Sequence, residues 1–369
     1  MPKNIVVCCD DVVGGSASNI VRLYATLRRD PSQVAFFYPG LAMQAASYST
    51  RSLPMAFERL ARGMVELYFG VGVFDELRAA YRFLMDTYEP GDRLFFFGAG
   101  RGGYTVRMLA GILHLTGLLH RGNEALVPYA ISMASRLDNR TFTLARELKS
   151  TFTRDCSVYY VGVWESVAQF GWIANPAPLR IPFSVNNPGI QVGRHALAID
   201  ERRVFFAPSL WAPEHNSPAA GPHDLKQVWF RGSYGDVCGG YPEHESGLSK
   251  ITLGWMLAEA VRYGLAVDDE AVMRILGFTG TAARPDPKGR IHNSLQGVWL
   301  MMEVIPHRHF DLSSLKWRWR MNLGRRRSIP AGALVHESVL LRDEPCPALP
   351  SDHLVERSET PWPVGISRQ

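Results

Sequence analysis

Phe95-Phe96-Phe97-Gly98-Ala99-Gly100-Arg101-Gly102-Gly103-Tyr104-Thr105-Val106-Arg107 runs from a triple-phenylalanine strand through a glycine turn into a helix. Just before it, Glu89-Pro90-Gly91-Asp92 stops a helical pattern and turns the chain into that strand. Gly98 and Gly102 keep the spacing of the G-x-S-x-G elbow, in which flanking glycines let a strained turn hold a hydroxyl above a sheet while the helix N-terminus favours negative charge. Gly100 stands where that hydroxyl belongs. The turn is therefore expected without its nucleophile.

Outward from this stretch, short runs rich in Val, Ile, Phe and Tyr at 5–9, 34–38, 93–97, 158–164 and 227–230 read as buried strands. They alternate with helical patterns: Ile20, Leu23, Tyr24 and Leu27 share one face, as do Phe74, Leu77, Tyr81, Leu84 and Tyr88. Residues 103–119 and 248–263 read as further apolar helices. The expected class is α/β, a mostly parallel sheet covered by helices. Residues 175–222, rich in Pro, Asn and Gly, read as a lid-like insertion over the sheet edge before the last core strand. The expected organisation is a core over 1–285, an irregular extension over 286–344 packed on it, and a loosely attached tail over 345–369.

The chain has 369 residues, 46% of them hydrophobic, which is enough to fill a sizeable core and makes disorder a poor reading. The apolar run 5–9 ends on Asp10 and Asp11, as a buried strand does and a cleaved leader does not. Residues 108–119 are too short to span a bilayer and are broken by His114 and Thr116. Five cysteines without C-x-x-C spacing argue against a disulfide framework and a zinc cage. A cytoplasmic protein is expected, with export that uses no cleaved leader left open. The net charge of +5 is concentrated in Lys316, Arg318, Arg320, Arg325, Arg326 and Arg327, interleaved with Trp317 and Trp319. This segment reads either as a solvated surface or as a contact for an anionic membrane; no nucleic-acid partner is expected. Gly98, Gly100 and Gly103 match a bare G-x-G-x-x-G, but the Lys-Ser/Thr pair of a phosphate loop and the acidic residue of a dinucleotide fold are missing, so no cofactor is expected. His307, His309 and Asp311 read as surface residues, and no metal is expected.

Many ordered stretches together carry a family resemblance. They include Ile5 to Asp10, Ala80-Tyr81-Arg82-Phe83-Leu84, the elbow with Tyr104-Thr105-Val106-Arg107, Val161-Gly162-Val163-Trp164, His195 to Arg203, Gln227-Val228-Trp229-Phe230 and Asp236 to Tyr241. The chain resembles the α/β-hydrolase family of type VI secretion phospholipase effectors and their uncharacterised relatives. That resemblance implies hydrolysis of an acyl ester, typically a phospholipid, by a serine, a histidine and a carboxylate acting together. Carried over residue by residue, it places the serine slot at Gly100. The family's Gly-x-His-Ser-Asp-Val becomes Gly232-Ser233-Tyr234-Gly235-Asp236-Val237, so the histidine slot is Tyr234. The family's Trp-Asp-Thr-Val becomes Trp164-Glu165-Ser166-Val167, putting Glu165 in the acid slot, with Asp200 a competing candidate.

The oxyanion loops depart as well. The family's Asp-Gly-Thr turn is here Asp10-Asp11-Val12, and its Pro-Gly-x-Gly turn is Pro39-Gly40-Leu41-Ala42; Arg101 follows the nucleophile slot. A second carboxylate at Asp11 is expected to oppose a developing negative charge. Ser233 and Cys238 lack a neighbouring histidine in sequence to activate them. The expectation is a pseudoenzyme or binding protein for a lipid or other acyl ligand, in which Gly100 faces Tyr234 and Glu165 across one pocket. The alternative is an active lipid or acyl esterase that uses Glu165, Asp200 and Asp236 as acids.

Overall fold

Strands buried on both faces need no polar alternation, and the apolar runs of this chain form such strands. The computed structural model describes residues 2–12, 17–39, 73–134, 139–167, 183–184, 186–211, 222–311, 316–346, 349–357, 359 and 362. The chain begins β1 (Asn4–Cys9), α1 (Asn19–Thr26), β2 (Gln33–Tyr38), α2 (Val73–Thr87), β3 (Arg93–Ala99) and α3 (Arg101–Thr116). A short antiparallel pair, β4 (Leu118–Leu119) and β5 (Thr153–Arg154), brackets α4 (Val127–Ala134) and α5 (Asn139–Phe152). Then follow β6 (Val158–Trp164), β7 (Ile190–Ala198), β8 (Asp224–Phe230), α6 (Tyr234–Cys238), α7 (Gly247–Arg262), α8 (Asp269–Ile275) and α9 (Val298–Met302). The last elements are the antiparallel pair β9 (His307–Asp311) and β10 (Lys316–Arg320), then β11 (Leu334–His336) and β12 (Leu354–Glu356).

Eight strands form one sheet in the order β12-β11-β8-β7-β6-β3-β1-β2, every pairing parallel. One core packs Ile5, Val7 and Phe96 against α2, α3 and α4, and the other packs Val6, Phe95 and Phe97 against α1 and α7. Successive phenylalanines of β3 thus serve opposite faces, each burial being worth about 1.5–3 kcal/mol. Ser18 caps α1 by accepting from the Ile20 amide, and α3 ends at Gly117, whose amide donates to the Leu113 carbonyl. No helix among the described residues is long and apolar enough to cross a membrane.

Two expectations need correcting. The lid-like insertion over 175–222 contains β7, which lies between β6 and β8 near the middle of the sheet. Its Arg194 is buried because Asp224 and Glu259 neutralise it at 2.8 and 2.5 Å, so a charged residue sits in an interior strand without an unpaired charge. The other residues of that stretch at 175–182, 185 and 212–221 lie outside the described residues. The tail over 345–369 is likewise not simply loose. β12 pairs with β11 at the sheet edge, Glu356 holds Lys226 at 2.6 Å, and the buried Trp362 donates its indole N–H to Asp269 at 3.1 Å.

Strand register brings the candidate site together. Ala99 pairs with Trp164, Trp164 with Ala196, and Ala198 with Phe230, so β3 and β6 end level with each other, two residues short of the shared end of β7 and β8. Residues 100, 165, 199–200 and 231–234 therefore leave the sheet side by side at its carboxyl edge, where open α/β sheets place their sites.

Candidate functional site

Gly100 takes φ 58° and ψ −121°, between β3 and α3. Its amide donates to the Trp164 carbonyl at 2.8 Å, and its own carbonyl accepts from Val167 at 3.0 Å. The flanking glycines permit close packing rather than turning the chain. A Cβ on Gly98 would lie 2.6 Å from the Gly103 amide nitrogen, and one on Gly102 would lie 2.8 Å from the Cys9 carbonyl carbon. The elbow geometry is present in full.

The space above it is taken. The Tyr234 hydroxyl stands inside the volume a Gly100 Cβ would fill, and the phenol Cζ is 3.1 Å from that point. Tyr234 opens α6, its amide donates to Glu201 at 3.0 Å, and its ring packs edge-on against Phe206 at 4.9 Å. Arg203 lies over Phe206 at 3.6 Å, and Trp299 of α9 packs on the same ring at 5.3 Å. Burial pushes the Tyr234 phenol well above its ordinary value, so it stays neutral. Cys238, one turn further along α6, lies beside Gly100 and Tyr234. Burial first, and then the Glu165 and Asp10 carboxylates, push its thiol well up, so it is not a nucleophilic thiolate.

Each candidate acid is engaged elsewhere. Glu165 is wholly buried at φ 48°, and Arg327 holds its two oxygens at 2.8 and 2.7 Å while the Ala198 amide donates at 2.6 Å. Arg327 also donates to the carbonyls of Ala198, at 2.7 Å, and Phe206. Arg327 is thereby removed from the basic surface segment to which its sequence neighbours assigned it. Asp200 accepts from the Arg231 side chain at 2.9 Å and the Gly232 amide at 2.8 Å, with Arg326 3.6 Å away. Asp236 caps α6 through the Ser233 amide and hydroxyl, both at 2.9 Å, and meets His292 Nδ1 at 2.7 Å. The Ser233 hydroxyl is committed to that cap.

At the oxyanion end, Asp10 accepts from the Val12 amide at 3.1 Å and the Ser18 hydroxyl at 2.9 Å; burial pushes its carboxyl up to about 7. Asp11 forms an ion pair with Arg101. Burial raises the Asp11 carboxyl and Arg101 works against that rise. The expected repulsion from Asp11 is corrected accordingly, because the cation beside it cancels most of its charge. Gly40 lies outside the described residues.

Residue patterns did not single out Glu201, Arg203, His292 and Arg327 as a group. Glu201 is buried, and it accepts from Arg203 at 3.0 Å and from the Ser294 hydroxyl at 2.8 Å. Burial pushes its carboxyl up, but Arg203 and Arg327 bring it down to about 2. The sequence signals were the charge alternation Glu201-Arg202-Arg203 inside a family stretch and the place of Arg327 in the basic segment. Away from the elbow, a cavity of about 370 Å³ opens near the far end of α3, lined in part by Tyr88, His114, Lys149 and Cys156.

Comparison with a known family agrees with this architecture. The catalytic domain of Tle1-like phospholipase effectors of type VI secretion matches residues 3–259. An uncharacterised protein of Saccharomyces cerevisiae is 29% identical over 230 residues, covering 57% of this chain and 33% of the yeast protein. The crystal structure of an uncharacterised protein from Pseudomonas aeruginosa is 16% identical with a TM-score of 0.39, covering 76% of this chain and 51% of that one. The chain thus spans about a third of the yeast relative's length and about half of the bacterial one's. From β1 into α7, with Gly100, Glu165, Asp200 and Tyr234 inside the matched residues, the chain belongs to the family of Tle1-like phospholipase effector catalytic domains.

Proposed function

We propose that this chain is a pseudoenzyme of its family, a protein that binds a lipid or other acyl ligand without hydrolysing it. The observation that carries the reading is the Tyr234 hydroxyl lying where the first side-chain atom of a serine nucleophile would sit. Nucleophile and base normally act as one unit, and losing both removes most of the rate they supply. Here one residue type replaces the base and fills the place of the nucleophile. The acids give no substitute route: Glu165 is bound to Arg327, Asp200 to Arg231, and Asp236 to Ser233 and His292.

The test uses purified protein with activated acyl esters and with phospholipid, alongside melting curves in the presence of fatty acid and lysophospholipid. A binder should gain stability with ligand concentration and give no turnover above buffer. Turnover that disappears on Glu165→Gln, Asp200→Asn or Asp236→Asn would instead establish an esterase with rearranged residues.

A further inference from the structure

The cavity near the far end of α3 has the makings of a binding site separate from the elbow. Its volume of about 370 Å³ is at the small end of the range for small-molecule sites. His114, which lines it, follows Gly100 by fourteen residues, roughly 20 Å of helix at 1.5 Å per residue. Walls come from α3, from Lys149 near the end of α5, and from the residues that enter β6 and β7.

The polar groups of this cavity are held in place without being used. His114 interrupts the apolar run of α3; its ring packs edge-on against Phe183 at 4.6 Å and makes no hydrogen bond with any described residue. A Cβ on Gly189 would stand 2.9 Å from His114 Nδ1, so the missing side chain there leaves the ring its place. Burial, and then the charge of Lys149, lower the imidazole from its ordinary value, so it is neutral and has one N–H to donate. Burial pushes the Tyr88 phenol and the Cys156 thiol up to about 12, so neither of these neighbours is charged. Lys149 meets Asp155 at 3.4 Å, and that carboxylate is 94% exposed, where an ion pair is worth little.

Charge and polarity narrow the ligand. Arg154 lies over the Tyr88 ring at 5.5 Å, so Lys149 and Arg154 stand against Asp155 with a single positive charge in excess. That balance suits a monoanion better than the doubly charged form of phosphate. The buried Ala110, Leu113 and Val158 add an apolar wall, which a bare inorganic ion would leave uncovered. We propose that the cavity binds a small organic carboxylate, with its charged end on Lys149 and His114 and its short hydrocarbon part against Ala110, Leu113 and Val158.

The inference does not depend on the elbow: a chain found to hydrolyse esters would still bind a carboxylate here. Calorimetric titration of the full chain with butanoate, butan-1-ol and inorganic phosphate tests it. Butanoate should bind at one site, at least about tenfold more tightly than either of the others, and Lys149→Gln should weaken it about tenfold. A bound anion favours the imidazolium, so butanoate should bind at least about threefold more tightly at pH 6 than at pH 8. The other titratable groups at the cavity are Tyr88, Cys156, Lys149 and Asp155, so His114→Gln, which keeps a donor, should retain binding and lose that pH dependence. Ser157 is exposed at the cavity lip, and Ser157→Trp should block binding without changing the melting temperature of the free protein. Butan-1-ol or phosphate binding as tightly as butanoate would overturn the proposal, and so would Lys149→Gln and Ser157→Trp proteins that bind butanoate like the parent.

Discussion

Placing serine at position 100 tests whether the elbow and Tyr234 compete for one volume. Two costs follow from the structure. The backbone at φ 58° and ψ −121° is strained for any residue with a Cβ, at about 1–3 kcal/mol. The Tyr234 hydroxyl would also have to withdraw by more than about 1 Å, an overpacking cost of about 1–3 kcal/mol. Gly100→Ser should therefore destabilise the fold by roughly 2–6 kcal/mol. Tyr234→Phe removes the obstructing atom and leaves Cζ 3.1 Å from the Cβ position, so in that background most of the overpacking should vanish. A cycle of the two single variants and the double, read by guanidinium unfolding at constant m, should give a coupling of about 1–2 kcal/mol favouring the double. Additivity to within about 0.5 kcal/mol would refute the reasoning, since it would mean that the phenol does not reach the turn. Tyr234→His carries the same logic into activity. The shorter ring should make room for the serine hydroxyl and supply its base, so Gly100→Ser with Tyr234→His should show ester turnover that neither single change shows.

Arg327→Met should strand Glu165 as a buried, unpaired charge and cost about 3–5 kcal/mol, and adding Glu165→Gln should restore most of that loss in the same unfolding assay. His292 predicts a pH dependence. The Asp236 hydrogen bond and the charges of Asp236 and Glu245 raise its folded value despite burial, with Arg290 3.6 Å from Glu245 and Tyr241 stacked on the ring. Its contribution is then complete below the unfolded value of 6.5 and is lost as pH rises through the higher folded value. Melting temperature should fall across that window, and the same scan on His292→Asn should be flatter; identical slopes would assign the dependence to other groups.

What could be read from the chain was whatever packs locally. Gly98 and Gly102 betray the elbow because a strand meeting a helix head-on leaves no room for a Cβ, and that need is visible within five residues. The apolar runs of β1 and β3 likewise announce themselves, being buried on both faces. β7 did not, because Gly193-Arg194-His195 breaks its apolar run. The residues that excuse the break, Asp224 and Glu259, lie 30 and 65 positions away. Distance hid the acid site in the same way. In sequence Glu165 reads as an available carboxylate, whereas in the fold Arg327, 162 residues downstream, holds both of its oxygens. Sequence slots did locate Gly100 and Tyr234, but as two separate substitutions. In the fold they are one, because the Tyr234 hydroxyl occupies the place of a Gly100 side chain. With tyrosine at 234 the turn accommodates only a residue without a side chain, and with serine at 100 the phenol has nowhere to lie. Regaining the serine first would strain the fold for no catalytic return, whereas regaining the histidine first would empty the space above Gly100. On the reading proposed above, Tyr234 holds the site closed, and installing hydrolysis by substitution would have to begin there.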